Sequence, residues 1–200
     1  MKRLLILFML ATVGVVASCA QEHQTFKGVP IDGTVADFAK KLESKGFVSS
    51  ENDESGNVSL TGIFAGYNNC NVSLLPIPNS DKIYGVKVTI TVEMPAVFSE
   101  EYQKMKSMLT EKYGEPTTKT ENATVEVADS DTVANFDWTG IFDELMKAMR
   151  IKTADIQMFE SASGTINLVG YNVAFAGVMV LTYIDKANSR AYRQSVIDDL

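Results

Sequence analysis

The residue types that most often carry catalysis are scarce in this chain, which has one histidine, His23, and two cysteines, Cys19 and Cys70. A Ser-His-Asp or Cys-His site needs a histidine held rigidly beside its nucleophile. Because His23 lies near the N-terminus, we expect it on a flexible tail. The sequence contains no H-E-x-x-H metal motif, no C-x-x-C pair and no glycine-rich phosphate loop. It therefore favours a protein that is not an enzyme and needs no cofactor or metal.

Two acidic stretches contain part of a calcium-binding ligand set. Asp129 and Asp131 form an Asp-x-Asp sequence, and Asn52, Asp53 and Glu54 are adjacent. A calcium loop also needs a turn glycine and a closing glutamate at fixed positions, and neither stretch supplies the full set. Charge-rich loops are ordinary protein surface. Solvated turns are therefore favoured, and loose calcium binding is the second interpretation.

The first 20 residues have the layout of a secretory signal peptide. Lys2 and Arg3 precede an apolar run at 4–16, and small residues follow at 17–20. The run is too short to span a bilayer as a helix. We therefore expect the protein to be exported to the periplasm or the cell exterior.

Two cleavage sites fit this segment. Residues 16–19 (VASC) resemble a bacterial lipobox, in which Cys19 is acylated and tethers the chain to the outer membrane. Residues 18–20 (SCA) also form an ordinary small-x-small site, and cleavage there removes Cys19. In both cases Cys70 has no intramolecular partner, and we expect it to be a small buried apolar residue.

The hydrophobic content and the net charge of the chain restrict the class of partner that it can bind. Hydrophobic residues make up 46% of the chain, which is enough for a folded core. The formal net charge is −7, and loss of Lys2 and Arg3 with the signal peptide makes the mature chain more acidic. Phosphate repulsion then argues against nucleic acid and against anionic lipid surfaces. We expect a protein partner in the cell envelope, with membrane contact only through a lipid on Cys19.

Hydrophobic periodicity predicts helices and an antiparallel sheet. The predicted helices cover 34–46, 99–113 and 141–149. The predicted strands cover 58–64, 70–74, 86–93, 156–159, 165–175 and 178–185. Thr34 is a natural N-cap for the first helix. The strand at 178–185 is apolar on both faces, which favours a central buried strand over a dimer interface.

The strand at 86–93 has one polar face. Its valines and Ile90 alternate with Lys87, Thr89, Thr91 and Glu93. This alternation is typical of an antiparallel sheet that is covered on one side. Because an open sheet face can present a broad surface to a partner protein, these four residues, together with Tyr67 and Tyr84, form the candidate interaction face.

A short internal similarity indicates a duplication. Residues 56–62 (GNVSLTG) match residues 164–170 (GTINLVG), although chance similarity of short strands is an alternative. We therefore predict an α+β fold in which helices pack on antiparallel β-meanders, in two tandem helix-plus-sheet repeats. The predicted organisation is a signal peptide at 1–20, a first repeat at 21–116, a polar linker or edge strand at 117–135, and a second repeat at 136–200.

Three stretches carry a resemblance: 21–47 (QEHQTFKGVPIDGTVADFAKKLESKGF), 111–116 (EKYGEP) and 164–188 (GTINL…VMVLTYIDKAN). They resemble a group of uncharacterised small secreted Bacteroides-type proteins. Their architecture is similar to that of the β-lactamase inhibitor protein and of small outer-membrane assembly lipoproteins. The shared motifs are structural, so the resemblance assigns no catalytic residue. It implies cleavage after Ala20, and O-glycosylation of Thr132 within the Asp-Thr-Val sequence at 131–133.

Three functions follow as hypotheses. The leading one is an exported, non-enzymatic protein-interaction module of the cell envelope. The alternative is a secreted inhibitor of a β-lactamase or protease, in which Tyr67 or Tyr84 plugs an active site; this rests on analogy of fold. The third is an unrecognised enzyme or a small-ligand carrier, which would need an enclosed pocket lined by polar groups.

Overall fold

The computed structural model of the chain describes residues 22–50, 57–124, 153–173 and 175–198. Several predicted features lie outside the described residues. They are Cys19, both acidic stretches, the 141–149 helix and Thr132.

An eight-stranded antiparallel sheet organises the described chain, which confirms the predicted α+β class. Its strands are, in spatial order, β3 (Val48–Ser49), β4 (Ser59–Phe64), β5 (Tyr67–Pro76), β6 (Ile83–Val92), β10 (Ala176–Asp185), β9 (Gly164–Val173), β8 (Thr153–Glu160) and β7 (Thr118–Thr124). The strand β7 lies at one end of this order, within the stretch 117–135 that the sequence predicts to be a linker or an edge strand.

Two helices pack on the first face of the sheet, which is the face that carries Val86 and Val88. The first is α1 (Val35–Glu43), and Thr34 caps it, because its Oγ1 accepts a hydrogen bond from the Asp37 N–H at 3.1 Å. The second is α2 (Pro95–Tyr113). It begins at Pro95 and not at the predicted Ser99, because proline fixes φ in the helical range and suits the first helical turn.

Aromatic rings fill one end of the core between the helices and the first face. A small hairpin, β1 (Thr25–Phe26) and β2 (Val29–Pro30), delivers Phe26 into this core. The Phe26 ring stacks on Phe64 with centroids 5.6 Å apart, and its edge meets Tyr183 at 5.4 Å. The N-terminal stretch is therefore an integral part of the fold.

The opposite, second face carries α3 (Lys186–Asp198), which the sequence analysis does not predict. This helix is too polar to show a strong apolar stripe. Its main aromatic contact is Tyr192, which stacks on Tyr84 with ring centroids 4.5 Å apart. Asp185 starts the helix, because its Oδ1 accepts a hydrogen bond from the Asn188 N–H at 2.8 Å.

The strand β10 is buried on both faces, as its sequence predicts. Met179 and Leu181 belong to the core on the first face, whereas Val178 and Val180 belong to a separate apolar cluster with Tyr171. The strand pairs with β6 on one side and β9 on the other, so it lies in the middle of the sheet. This position explains why both of its faces are apolar.

Candidate functional site

The predicted polar face of β6 lies on the second face of the sheet. Thr91 and Glu93 are exposed, while Lys87 and Thr89 are half-buried. Asn71 of the neighbouring strand β5 pairs with Thr89. The alternation along 86–93 is therefore as the sequence predicts, and β5 adds further polar side chains beside it.

Tyr67 is half-buried and already engaged within the fold. Its hydroxyl donates a hydrogen bond to the Glu101 carboxylate of α2, and the Lys104 Nζ lies 5.9 Å from the centre of its ring. Lys104 also pairs with Glu101 at 3.6 Å. Burial, reinforced by Glu101, raises the pKa of the Tyr67 hydroxyl. Tyr67 therefore ties the β4–β5 hairpin to α2.

Tyr84 is not an exposed aromatic, which corrects the prediction that it belongs to an interaction face. Only 4% of its surface is accessible, because it lies beneath α3 in a cluster with Ile77 and Ile184. The pairing of β5 with β6 shifts register between Leu75 and Pro76. This irregularity places Tyr84 on the second face, although strict alternation would put it on the first face with Val86.

Three large apolar side chains are exposed at one end of the sheet. They are Ile63 near the end of β4, Met94 just after β6, and Phe175 in the β9–β10 turn, with exposures of 60%, 63% and 87%. We call these three residues the tip surface. Val92 pairs with Gly177 in the antiparallel neighbour. Met94 follows Val92 by two residues and Phe175 precedes Gly177 by two, so both lie at the same end of adjacent strands.

The β4–β5 turn reaches the same end, because β5 runs antiparallel to β6. Neighbouring strands are about 4.8 Å apart, so Ile63 and Phe175 lie within roughly 20 Å of each other. The sequence does not predict the tip surface, because its hydrophobic pattern extends the strand at 165–175 to Phe175. The signal that could have found it is an aromatic residue between two clear strands, at a position where a turn is needed.

Acidic residues lie close to the tip surface on both faces of the sheet. Glu93 directly precedes Met94 and is exposed on the second face, and the partly exposed Glu101 of α2 bonds to Tyr67 at the start of β5. The tip surface therefore combines apolar side chains with nearby carboxylates.

His23 is held firmly and does not lie on a flexible tail, which corrects the sequence-based expectation. Its Nδ1 atom is 3.0 Å from Asp185 Oδ2, and its Nε2 atom is 3.7 Å from Asp32 Oδ2. Asp185 is fully buried, and its Oδ2 also accepts a hydrogen bond from the Gln24 N–H at 2.8 Å. Long-range tertiary contacts between the two ends of the described chain order this histidine.

The surroundings of His23 do not form a Ser-His-Asp site. The nearby hydroxyls of Ser161 and Ser163 donate to Gln24 Oε1, at 2.8 and 3.0 Å. Asp185 uses one oxygen to cap α3 and the other to hold His23 and Gln24. Within the described residues, the geometry around His23 is that of a structural clasp.

Cys70 is buried, as the sequence predicts, and its thiol donates a weak hydrogen bond to the Tyr67 carbonyl oxygen at 3.3 Å. Burial raises the pKa of this thiol, which keeps it in its unreactive protonated form.

No group of three or more His, Cys, Asp or Glu side chains in 22–50, 57–124, 153–173 and 175–198 is arranged to hold a metal ion. Over the same residues, no helix combines the length and apolar character needed to cross a membrane. Comparison with models of protein families, with curated proteins and with solved structures finds no match to the chain.

Proposed function

We propose that this chain is an exported, non-enzymatic protein-interaction module of the cell envelope that binds a partner protein through the tip surface. The observation that carries this proposal is the 87% exposure of Phe175 at the end of a hairpin. An exposed phenylalanine gains about 1.5–3 kcal/mol when a partner covers it fully. Aromatic side chains of this kind are common anchors of protein interfaces.

A rigid base supports Phe175 as an anchor. Gly177, two residues further along, lies so close to Phe98 of α2 that a Cβ atom there would be 2.0 Å from the ring. The strands β9 and β10 pair continuously from Ala176 to Asp185. The base of the hairpin is therefore packed tightly, and a partner would meet an anchor whose position is largely set in advance.

The polar residues of the predicted face adjoin the tip surface. Thr91 and Glu93 precede Met94 in the chain and are exposed. In the proposed complex they belong to the polar rim around the apolar anchors, where they contribute hydrogen bonds and specificity more than affinity.

The alternative, a secreted inhibitor of a β-lactamase or protease, draws support from the same hairpin. Inhibition of this kind requires an exposed aromatic side chain on a firmly held loop. Phe175 meets that requirement better than Tyr67, which is bonded to Glu101, or Tyr84, which is buried. Purified protein that inhibits none of a panel of such enzymes would count against this alternative.

Site-specific photocrosslinking in the native host tests the interaction. A benzoylphenylalanine at position 175 should form an adduct with one envelope protein, and the same group at Asp81 should not. Asp81 is exposed in the β5–β6 turn, at the opposite end of β6, and β6 is about 30 Å long. Identical adducts from both positions, or none from position 175, would contradict the proposal.

Export and the processing of the N-terminus are part of the proposal. The intact mass and N-terminal sequence of the mature protein distinguish an acylated Cys19 from a chain that starts at Gln21. The same mass detects a glycan on Thr132. An unprocessed chain that retains residues 1–20 would contradict export.

The tandem repeat also remains a proposal. Its support is the strand order, in which the four-stranded meanders β3–β6 and β7–β10 meet at the β6–β10 pair. The helix α1 precedes the first meander and α2 precedes the second. The two halves therefore divide before α2 and not at the predicted boundary at 116. Residues 59–62 of the first matching sequence lie in β4 and the second matching sequence lies in β9, which are the second and third strands of their halves. These strands are not equivalent, so the sequence match itself gives the duplication no support. Halves that fail to superpose in an experimental structure would contradict a duplication.

A further inference from the structure

Two polar side chains lie buried beneath α2 without a hydrogen-bond partner among the described residues. They are Tyr102 of α2, which is 2% exposed, and Gln157 of β8, which is fully buried. The Tyr102 hydroxyl and both polar atoms of the Gln157 amide lack a partner there. Burying such groups unpaired is unfavourable, because they lose their hydrogen bonds to water.

The two groups face each other. Tyr102 is pressed against β9, since a Cβ atom on Gly170 would lie 2.4 Å from its ring. Gly170 pairs with Asp155 of β8, two residues from Gln157. Burial and then the charge of Asp155 raise the pKa of Tyr102, while the Gln157 amide acts to lower it. Gln157 pairs with Leu168, which lies on the same face of β9 as Gly170, so the amide lies beside the Tyr102 side chain, and the two make no hydrogen bond.

The neighbouring residues make Gln157 conspicuous. Phe159, Ile166 and Leu168 are fully buried and apolar, and they belong to the core on the same face. An apolar side chain at position 157 would continue this core without an unpaired amide. The polar side chain therefore implies something that bonds to it.

We propose that the Tyr102 hydroxyl and the Gln157 amide form a buried binding site for one small hydroxyl group, supplied by water or by a small neutral ligand. A hydroxyl can donate to Gln157 Oε1 and accept from Gln157 Nε2 or Tyr102, so one group satisfies both side chains. An anion is disfavoured by the charge of Asp155. A cation is disfavoured because it offers no acceptor to the amide N–H groups. This site is separate from the tip surface and goes beyond the proposed function.

A high-resolution crystal structure of the full mature chain gives the direct test. We expect density for one oxygen atom within hydrogen-bond distance of Tyr102 Oη and of the Gln157 amide. Density of a single isolated atom identifies water. Larger density, together with a matching mass shift under native conditions, identifies a bound ligand with the same chemistry. Absence of density, or a direct contact of the amide with another side chain, would overturn the proposal.

A double-mutant cycle gives an independent test in solution. Tyr102→Phe and Gln157→Met each remove one partner of the bound hydroxyl and weaken its binding to the other, so each should lower the midpoint of thermal unfolding. The double variant should lose less than the sum of the two. Tyr171→Phe, on the opposite face, serves as the control and should be additive with Gln157→Met. If both single variants raise the midpoint, the groups are merely unpaired and the proposal fails.

Discussion

His23 and Asp185 are joined side chain to side chain, with Nδ1 and Oδ2 3.0 Å apart, although 162 residues separate them in the sequence. The same carboxylate holds the Gln24 N–H and caps α3 through Asn188. One buried aspartate thus fastens the N-terminal stretch, the end of β10 and the start of α3 to each other. Removing it should loosen all three together.

Asp185→Ala should lower the free energy of unfolding by about 3 kcal/mol, because it removes a helix cap and leaves buried donors unpaired. Asp185→Asn should cost less, since its amide oxygen can still accept one of these hydrogen bonds. Asp32→Ala is the matched control, because Asp32 is exposed and meets His23 only at 3.7 Å. It should change stability by less than about 0.5 kcal/mol. Urea denaturation measures all three, and equal losses for Asp185→Ala and Asp32→Ala would contradict the clasp.

Phe175→Ala should leave stability within about 0.5 kcal/mol of the parent chain, because an exposed side chain is removed. Binding to the crosslinked partner should weaken by at least about tenfold if Phe175 is an anchor. Ile197→Ala, an exposed apolar position on α3, is the control and should leave binding unchanged. Thermal unfolding and surface plasmon resonance separate the two effects. Unchanged binding by Phe175→Ala would remove the main support for the tip surface.

Tyr192→Ala should lower the free energy of unfolding by about 1–2 kcal/mol, because it removes the ring that stacks on Tyr84. The fluorescence and near-ultraviolet circular dichroism of the tyrosines should change with it. Arg193→Ala, one residue further along on the exposed side of α3, should have almost no effect. A loss equal to that of Tyr192→Ala would indicate that the stacked pair does not hold the helix.

Alkaline pH should weaken the fold through its buried tyrosines. Burial raises the pKa of Tyr171 to about 12, and it also raises the pKa of Tyr84, Tyr102 and Tyr183. In the unfolded chain a phenol ionises near pH 10. The contribution of Tyr171 is therefore complete below about pH 10 and is lost as the pH rises toward 12. Denaturation at stepped pH, with tyrosinate absorbance as a second signal, measures this. Stability that does not change between pH 9 and about pH 12 would contradict it.

Local pattern determined much of the secondary structure of this protein. Three features depend only on residues that are close together in the sequence. They are the alternation along β6, the apolar spacing of α2 and the N-cap at Thr34. Such short-range preferences act before any tertiary contact forms. The central position of β10 was also predictable, since a strand with two apolar faces must be covered on both.

Tertiary structure decided the rest, because the deciding contacts join residues that are distant in sequence. His23 is ordered by Asp185, and Tyr84 changes face at a register irregularity set by the pairing of β5 with β6. The helix α3 has too few apolar residues to stand out locally and is held by Asp185 and by stacking on Tyr84. The exposure of Phe175 depends on the position of the β9–β10 turn. The Tyr102–Gln157 site depends on the packing of α2 over β8. Hydrophobic periodicity does not predict these features, because each one depends on which surfaces pack against each other in the folded sheet.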